Sequence, residues 1–181
     1  MAHNATIFKA QLNVADMDRN YYGDHALVIA RHPSETDERM MVRLLAFALN
    51  ASESLEFGRG LSAEDEPDLC QKDLTGQIEL WIDVGQPDEK SVRKAGGRAS
   101  RVRIYNYGIR GADTWWNQVR AKLERQNNLS VTYFAQEATR AMAALADRNM
   151  QLQCTIQQGQ IWLSGGERTV EVTPLEVFPL A

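Results

Sequence analysis

Glu66, Asp68 and Asp83 offer carboxylate oxygens, the hard donors that Mg²⁺ and Mn²⁺ prefer. Asp68 closes an acidic stretch, LSAEDEPD, and Asp83 stands near the end of the apolar segment IELWIDV. The interval between them is long enough for an acidic turn to fold back beside a strand end. Glu79 shares a face with Asp83, but about 13 Å of extended strand separates the two, too far for one ion. A basic run follows at once: Lys90, Arg93, Lys94, Arg98, Arg101, Arg103 and Arg110, with no Asp or Glu among them. Carboxylates beside cations are what phosphodiester hydrolysis uses. A divalent ion polarises a phosphate oxygen and activates water, while a lysine stabilises the developing negative charge. Lys94, about two turns into a basic helix, can reach back toward the strand end, as can Lys90. Arg93, Arg98 and Arg101 are expected phosphate contacts, which position a nucleic acid without reading its sequence. The same run also reads as a solvated helix face plus a strand edge.

These residues need elements to position them. Ile78 to Val84 alternates Ile78, Leu80, Ile82 and Val84 on one face with Glu79, Trp81 and Asp83 on the other, the pattern of a strand. In open sheets carrying helices, ligands bind beyond the carboxyl ends of strands, where Asp83 falls. Gly85 ends the strand, and Pro87 opens a helix with Asp88 and Glu89 in its positive first turn, running to about Gly97. Upstream, ATIFKAQLNV and Tyr22 to Arg31 form an antiparallel hairpin. Pro33 and Ser34 then mark a helix start, with Ser34 to Asp37 at capping-box spacing and Met41, Leu44, Leu45 and Ala48 as an apolar stripe. Glu38 sits at the edge of that stripe. It is either the partner of an arginine, such as Arg39 or Arg43, or a group aimed into a cleft.

Downstream, RVRIYNY and LSVTYF read as strands, and TWWNQVRAKLERQ and AQEATRAMAALADRN as helices. The tail reads as two strand pairs turning at Gln158-Gly159 and Gly165-Gly166. The expectation is an α/β (α+β) domain: a mixed sheet flanked by helices, with antiparallel strands at both ends.

Composition narrows the classes. The 181 residues are 44% hydrophobic and 24% charged, values of a single globular domain spanning the chain. A net charge of -4 argues against a protein that coats nucleic acid over its whole surface. No apolar run approaches the ~18 residues of a membrane span, and MAHNATIFKA lacks a signal-peptide core, so a cytoplasmic chain is expected. Cys70 and Cys154 have no CxxC companion and read as idle thiols. His3, His25 and His32 lack metal-ligand spacing, and Ser34 has no nucleophile elbow. Trp115 and Trp116 read as core. Tyr105 and Tyr107 share one strand face and either pack or line a cleft.

The blocks RHPSETDERMMVRLLAF, RGLSAEDEPD, IELWIDVGQPDE, RKA, LSVTYF and QLQCTIQQGQIWLS together resemble the YaeQ family of small bacterial proteins. The resemblance extends over nearly the whole chain. It implies a variant of the PD-(D/E)XK nuclease core, a restriction-endonuclease-like mixed sheet in which an acid and an acid-x-lysine bind Mg²⁺ and assist cleavage. Carried over by position, Pro67-Asp68 resembles the PD element and Asp83 the (D/E). Glu66 is an alternative to Asp68, and Glu38 resembles an extra acid on the first core helix. The lysine position is Gly85, so Lys94 or Lys90 would replace that lysine from the helix and Gln86 would add a polar contact. The implied activity is Mg²⁺- or Mn²⁺-dependent action on DNA or RNA. The alternative is a non-catalytic nucleic-acid-binding or regulatory domain on the same scaffold.

Overall fold

The computed structural model of the chain describes residues 4–59, 65–108 and 112–179. Among the described residues, eleven strands and four helices follow in the order β1 (Thr6–Asp16), β2 (Tyr21–Arg31), α1 (Asp37–Leu49), β3 (Leu55–Phe57), β4 (Leu69–Lys72), β5 (Ile78–Val84), α2 (Glu89–Arg98), β6 (Ala99–Tyr107), α3 (Ala112–Leu123), β7 (Leu129–Phe134), α4 (Gln136–Ala143), β8 (Asn149–Gln157), β9 (Gln160–Gly165), β10 (Arg168–Val172) and β11 (Leu175–Phe178).

These form two mixed sheets rather than one. The first has the order β10-β9-β8-β1-β2, with β1 and β8 parallel and the other neighbours antiparallel. The second has the order β11-β7-β6-β5-β4-β3, with β5, β6 and β7 parallel. The strands expected as additions at the two ends of the chain, β11 excepted, therefore build a sheet of their own. Burial explains it. In β1, Phe8, Ala10, Leu12 and Val14 are buried while Lys9, Gln11 and Asn13 are exposed, so this sheet has one apolar face to cover.

Helix α1 covers it. Every residue from Met40 to Ala48 is buried, including Arg43. A helix apolar on all sides needs neighbours on all sides. Here it lies between the sheets, packing with Leu12, Val14 and Ile29 of one and Leu69, Ile82 and Val84 of the other in a single core. Its N-cap is Thr36, whose hydroxyl accepts from the Arg39 N–H at 3.1 Å, not the expected Ser34. Ser34 instead bonds the His32 ring at 2.6 Å, in a turn that sends Glu35 inward.

The far face of the second sheet carries another core. Trp81, Val102, Ile104 and Val131 pack there against Val92 and Ala95 of α2 and Trp115, Trp116 and Leu123 on α3. The paired tryptophans are thus core residues, each 6% exposed. Cys70 and Cys154 are free thiols, and burial pushes Cys154 up to about 12. His25 and His32 are held by Tyr21 and Ser34; His3 lies outside the described residues. Among the described residues no helix is long and apolar enough to cross a membrane.

Candidate functional site

The short strand β4, unexpected from the sequence, makes the site. It pairs antiparallel with β5, Leu69 against Ile82. Asp68, the residue before Leu69, therefore stands opposite Asp83 at the carboxyl end of β5. The Gly58 N–H donates to the Asp68 carbonyl at 2.8 Å, continuing the β3–β4 pairing as far as Asp68. Arg39, Asp65, Glu66, Asp68, Trp81, Asp83, Gln86 and Lys94 all line one cleft of about 420 Å³.

Asp68 is 6% exposed and densely bonded. One of its oxygens accepts from the Val84 N–H at 2.8 Å. Both accept from Arg39 Nη2, at 3.0 and 2.9 Å. The same nitrogen donates to the Val84 carbonyl at 3.2 Å. Arg39 Nη1 reaches Glu35 at 2.5 Å. The Glu35 side chain has no exposed surface and also accepts from Arg43 Nη2 at 2.5 Å and Nε at 3.0 Å. Arg43 is itself wholly buried and donates to the Ala30 carbonyl at 2.9 Å. A chain of alternating charge, Arg43–Glu35–Arg39–Asp68, thus runs from the central core to the cleft.

Asp83 accepts from Trp81 Nε1 at 3.0 Å. Burial, and then repulsion from Asp68, pushes its carboxyl up to about 6. Lys94 projects from α2 to Asp65 at 2.9 Å, and together with the Asp65 side-chain bond holds that carboxyl below its ordinary value. Asp65 is turned toward α2 because its carbonyl accepts from Arg98 at 3.1 Å.

The match to the YaeQ protein family model extends over residues 1–174. The chain belongs to the YaeQ family. The protein named "Uncharacterized protein YaeQ" from Escherichia coli (strain K12) is 49% identical over 172 residues, 95% of each chain. The protein of the same name from Salmonella typhi is also 49% identical over 172 residues. The crystal structure of the YaeQ protein from Xanthomonas axonopodis pv. citri superposes with a TM-score of 0.93 at 48% identity, covering 96% of this chain and 98% of that one. The YaeQ protein from Pseudomonas syringae superposes with a TM-score of 0.92 at 34% identity, covering 97% of each. The two-sheet YaeQ architecture is therefore shared with chains whose coordinates are experimental.

Of the residues singled out from the sequence, Asp68, Asp83, Glu66, Gln86 and Lys94 come together. Glu66 is exposed and lies 3.7 Å from Arg59. Glu38 is elsewhere: it faces α4, accepting from Thr139 Oγ1 at 3.3 Å, and does not line the cleft. Neither arginine offered as its partner takes it; both take Glu35. Arg98 lies at the cleft's shoulder over the Trp81 ring, 5.0 Å from its centre. Arg93 is 62% exposed and pairs with Glu89 at 3.0 Å. Arg101 sits in register with Leu80, on the sheet face opposite Asp83. Arg110 lies outside the described residues.

Gly85 has a physical reason to lack a side chain. Its φ is +103°, a region that L residues rarely adopt, and its N–H donates to the Tyr105 carbonyl at 2.8 Å as β5 ends. The burial of Glu35 with Arg39 and Arg43 has a signal in the sequence. Glu35, Arg39 and Arg43 recur every four residues, and Arg43 sits inside the apolar run MMVRLLAFAL, where a charge needs a buried partner.

Among the described residues no group of three or more His, Cys, Asp or Glu side chains is arranged to hold a metal ion. The oxygens of Asp68, the Val84 carbonyl and Asp83 are nonetheless suited to Mg²⁺, which takes one or two carboxylates and completes its shell with water and phosphate oxygens. The donor chemistry fits a sparse magnesium site.

Proposed function

We propose that the cleft at the end of β5 is a divalent-metal-dependent phosphodiester site, and that the chain is a nuclease-like protein acting on DNA or RNA. The reading takes the second sheet, with α1 on one face and α2 and α3 on the other, as a variant of the PD-(D/E)XK core. The observation that carries it is the meeting of Asp68, Asp83 and the Val84 carbonyl at one strand end, with the Lys94 ammonium at the rim.

When bound, Mg²⁺ or Mn²⁺ would supply Lewis acidity toward a phosphate oxygen and an activated water. Asp83 and Asp68 would hold it, with Glu66 at the entrance. Trp81 Nε1 fixes the Asp83 carboxylate in place. Lys94, half-exposed, is placed to exchange Asp65 for a phosphate oxygen and stabilise negative charge there. Gln86, exposed beside it, offers a neutral hydrogen-bond donor. Arg98 and Arg93 on α2 lie along the approach for a strand's phosphates, while Arg101 would serve only a strand wrapping to the opposite face.

Calorimetric titration with Mn²⁺ tests the site: heat is expected for the native chain and its loss in Asp83→Ala. Equal heats in the two remove Asp83 from the site. Incubation with single-stranded, double-stranded and branched DNA and with RNA in Mn²⁺ then tests turnover, which Asp83→Ala should abolish. A second reading, nucleic-acid binding without cleavage, is favoured by Gly85, whose backbone conformation keeps a lysine out of the acid-x-lysine position. It is distinguished by retained binding with no product.

A further inference from the structure

Arg39 stands where a metal ion would go. Its Nη2 carries two hydrogens but lies within 3.2 Å of three oxygens: both of Asp68 and the Val84 carbonyl. Carboxylate and carbonyl oxygens of this kind are the hard donors that Mg²⁺ and Mn²⁺ prefer. The cleft around them is also rich in negative charge. Asp65, Glu66, Asp68 and Asp83 line the cleft against two cations, Arg39 and Lys94.

We infer that Arg39 is a resident cation that occupies the metal position, so that its Nη2 and a divalent ion exclude each other at Asp68. This rests on the metal-dependent reading above. The guanidinium has a second anchor that makes exchange feasible. Nη1 is held by Glu35, and Glu35 is fixed in turn by Arg43, wholly buried between the sheets. Arg39 can release Asp68 and keep Glu35. Its side chain, 15% exposed, borders the cleft into which it would move. The arrangement accounts for a carboxylate pair that stays folded without metal: the arginine supplies the positive charge that buried Asp68 requires. It also sets a threshold, because an incoming ion must offer Asp68 more than Arg39 does.

The test is Mn²⁺ binding by calorimetry and melting temperature with and without Mn²⁺, on the native chain, Arg39→Gln, Arg39→Lys and Asp83→Ala. Removing a unit charge at this distance from the ion should tighten Mn²⁺ binding at least about tenfold in Arg39→Gln. That variant should also melt lower than the native chain without metal and recover with Mn²⁺. Arg39→Lys, which keeps the charge but loses the planar fork, should fold and show a smaller gain. If the native chain binds Mn²⁺ through Asp83 and Arg39→Gln binds no tighter, the exclusion is wrong and the metal reading survives. If neither binds, both fall. If Arg39→Gln does not fold even with Mn²⁺, Arg39→Lys decides: affinity equal to or below native overturns the inference.

Discussion

Glu35→Ala is expected to be among the most damaging substitutions in the chain, although Glu35 lies outside any regular element. The carboxylate has no exposed surface and accepts three charge-assisted bonds, from Arg39 at 2.5 Å and from Arg43 at 2.5 and 3.0 Å. Its removal leaves Arg43, buried between two sheets, with the Ala30 carbonyl as partner; Arg43 Nη1 is already unsatisfied. Breaking a buried ion pair from one side costs about 3–5 kcal/mol, because a charge is left unpaired in a poorly polarisable core. Total stability of a domain is roughly 5–15 kcal/mol, so this is a large share. At this chain length each kcal/mol corresponds to roughly 2–4 °C, giving an expected fall of roughly 6–20 °C in Tm. Differential scanning calorimetry of native, Glu35→Ala and Glu56→Ala chains measures it, Glu56 being an exposed β3 control. A Glu35→Ala melt within about 2 °C of native would falsify the claim that Glu35 neutralises the buried arginines.

Asp83 gives a pH-dependent counterpart. Its folded pKa of about 6 exceeds the usual unfolded value of about 3.9, so the folded chain holds this proton more tightly. The stabilisation it brings is complete below about pH 4 and is lost as pH rises through 6, about 3 kcal/mol in all. Asp83→Asn should therefore match the native chain near pH 4 and exceed its stability by about that amount at pH 8. Urea melts across this range check it, and a difference independent of pH refutes it. Gly58→Ala should disturb the site without touching it. A Cβ at Gly58 would overlap the Pro67 carbonyl oxygen, in the backbone that presents Asp68. A cost of about 1–3 kcal/mol is expected. Mn²⁺ affinity should fall with it, and native affinity in a destabilised variant would mean that the Gly58–Asp68 pairing does not position Asp68.

Period-two and helical patterning made much of the fold legible. Ile78 to Val84 and Leu129 to Phe134 were read at their true bounds because β-branched and aromatic residues alternate there between clear breakers. β4 was missed for the opposite reason. LCQK is four residues long and has no alternation to read, so only its pairing with β3 and β5 defines it. The two-sheet arrangement was also hidden. Nothing local in NMQLQCTIQ says that it runs parallel to β1, a partner far away in sequence. At the site, Asp68, Asp83 and Lys94 could be grouped because acids and a basic helix are near one another along the chain. Glu38 stood out because it borders a helical stripe, whereas Glu35 lies before the cap, where its direction is set by a turn and not by periodicity. Arg39 was legible only as an ion-pair partner for a nearby acid such as Glu38; its bond to Asp68 appears only when β4 carries Asp68 to it.

The pairing of β1 with β8 has a consequence during synthesis. Lys9 and Asn149 are in register about 140 residues apart. At ribosomal rates of about 5–20 residues per second, β1 leaves the tunnel roughly 7–28 s before its second neighbour exists. Through that interval the β1–β2 hairpin carries an open edge. The nascent chain therefore passes through a long aggregation-exposed stage, and its yield in vivo should respond to chaperone supply more than the finished fold's stability would suggest.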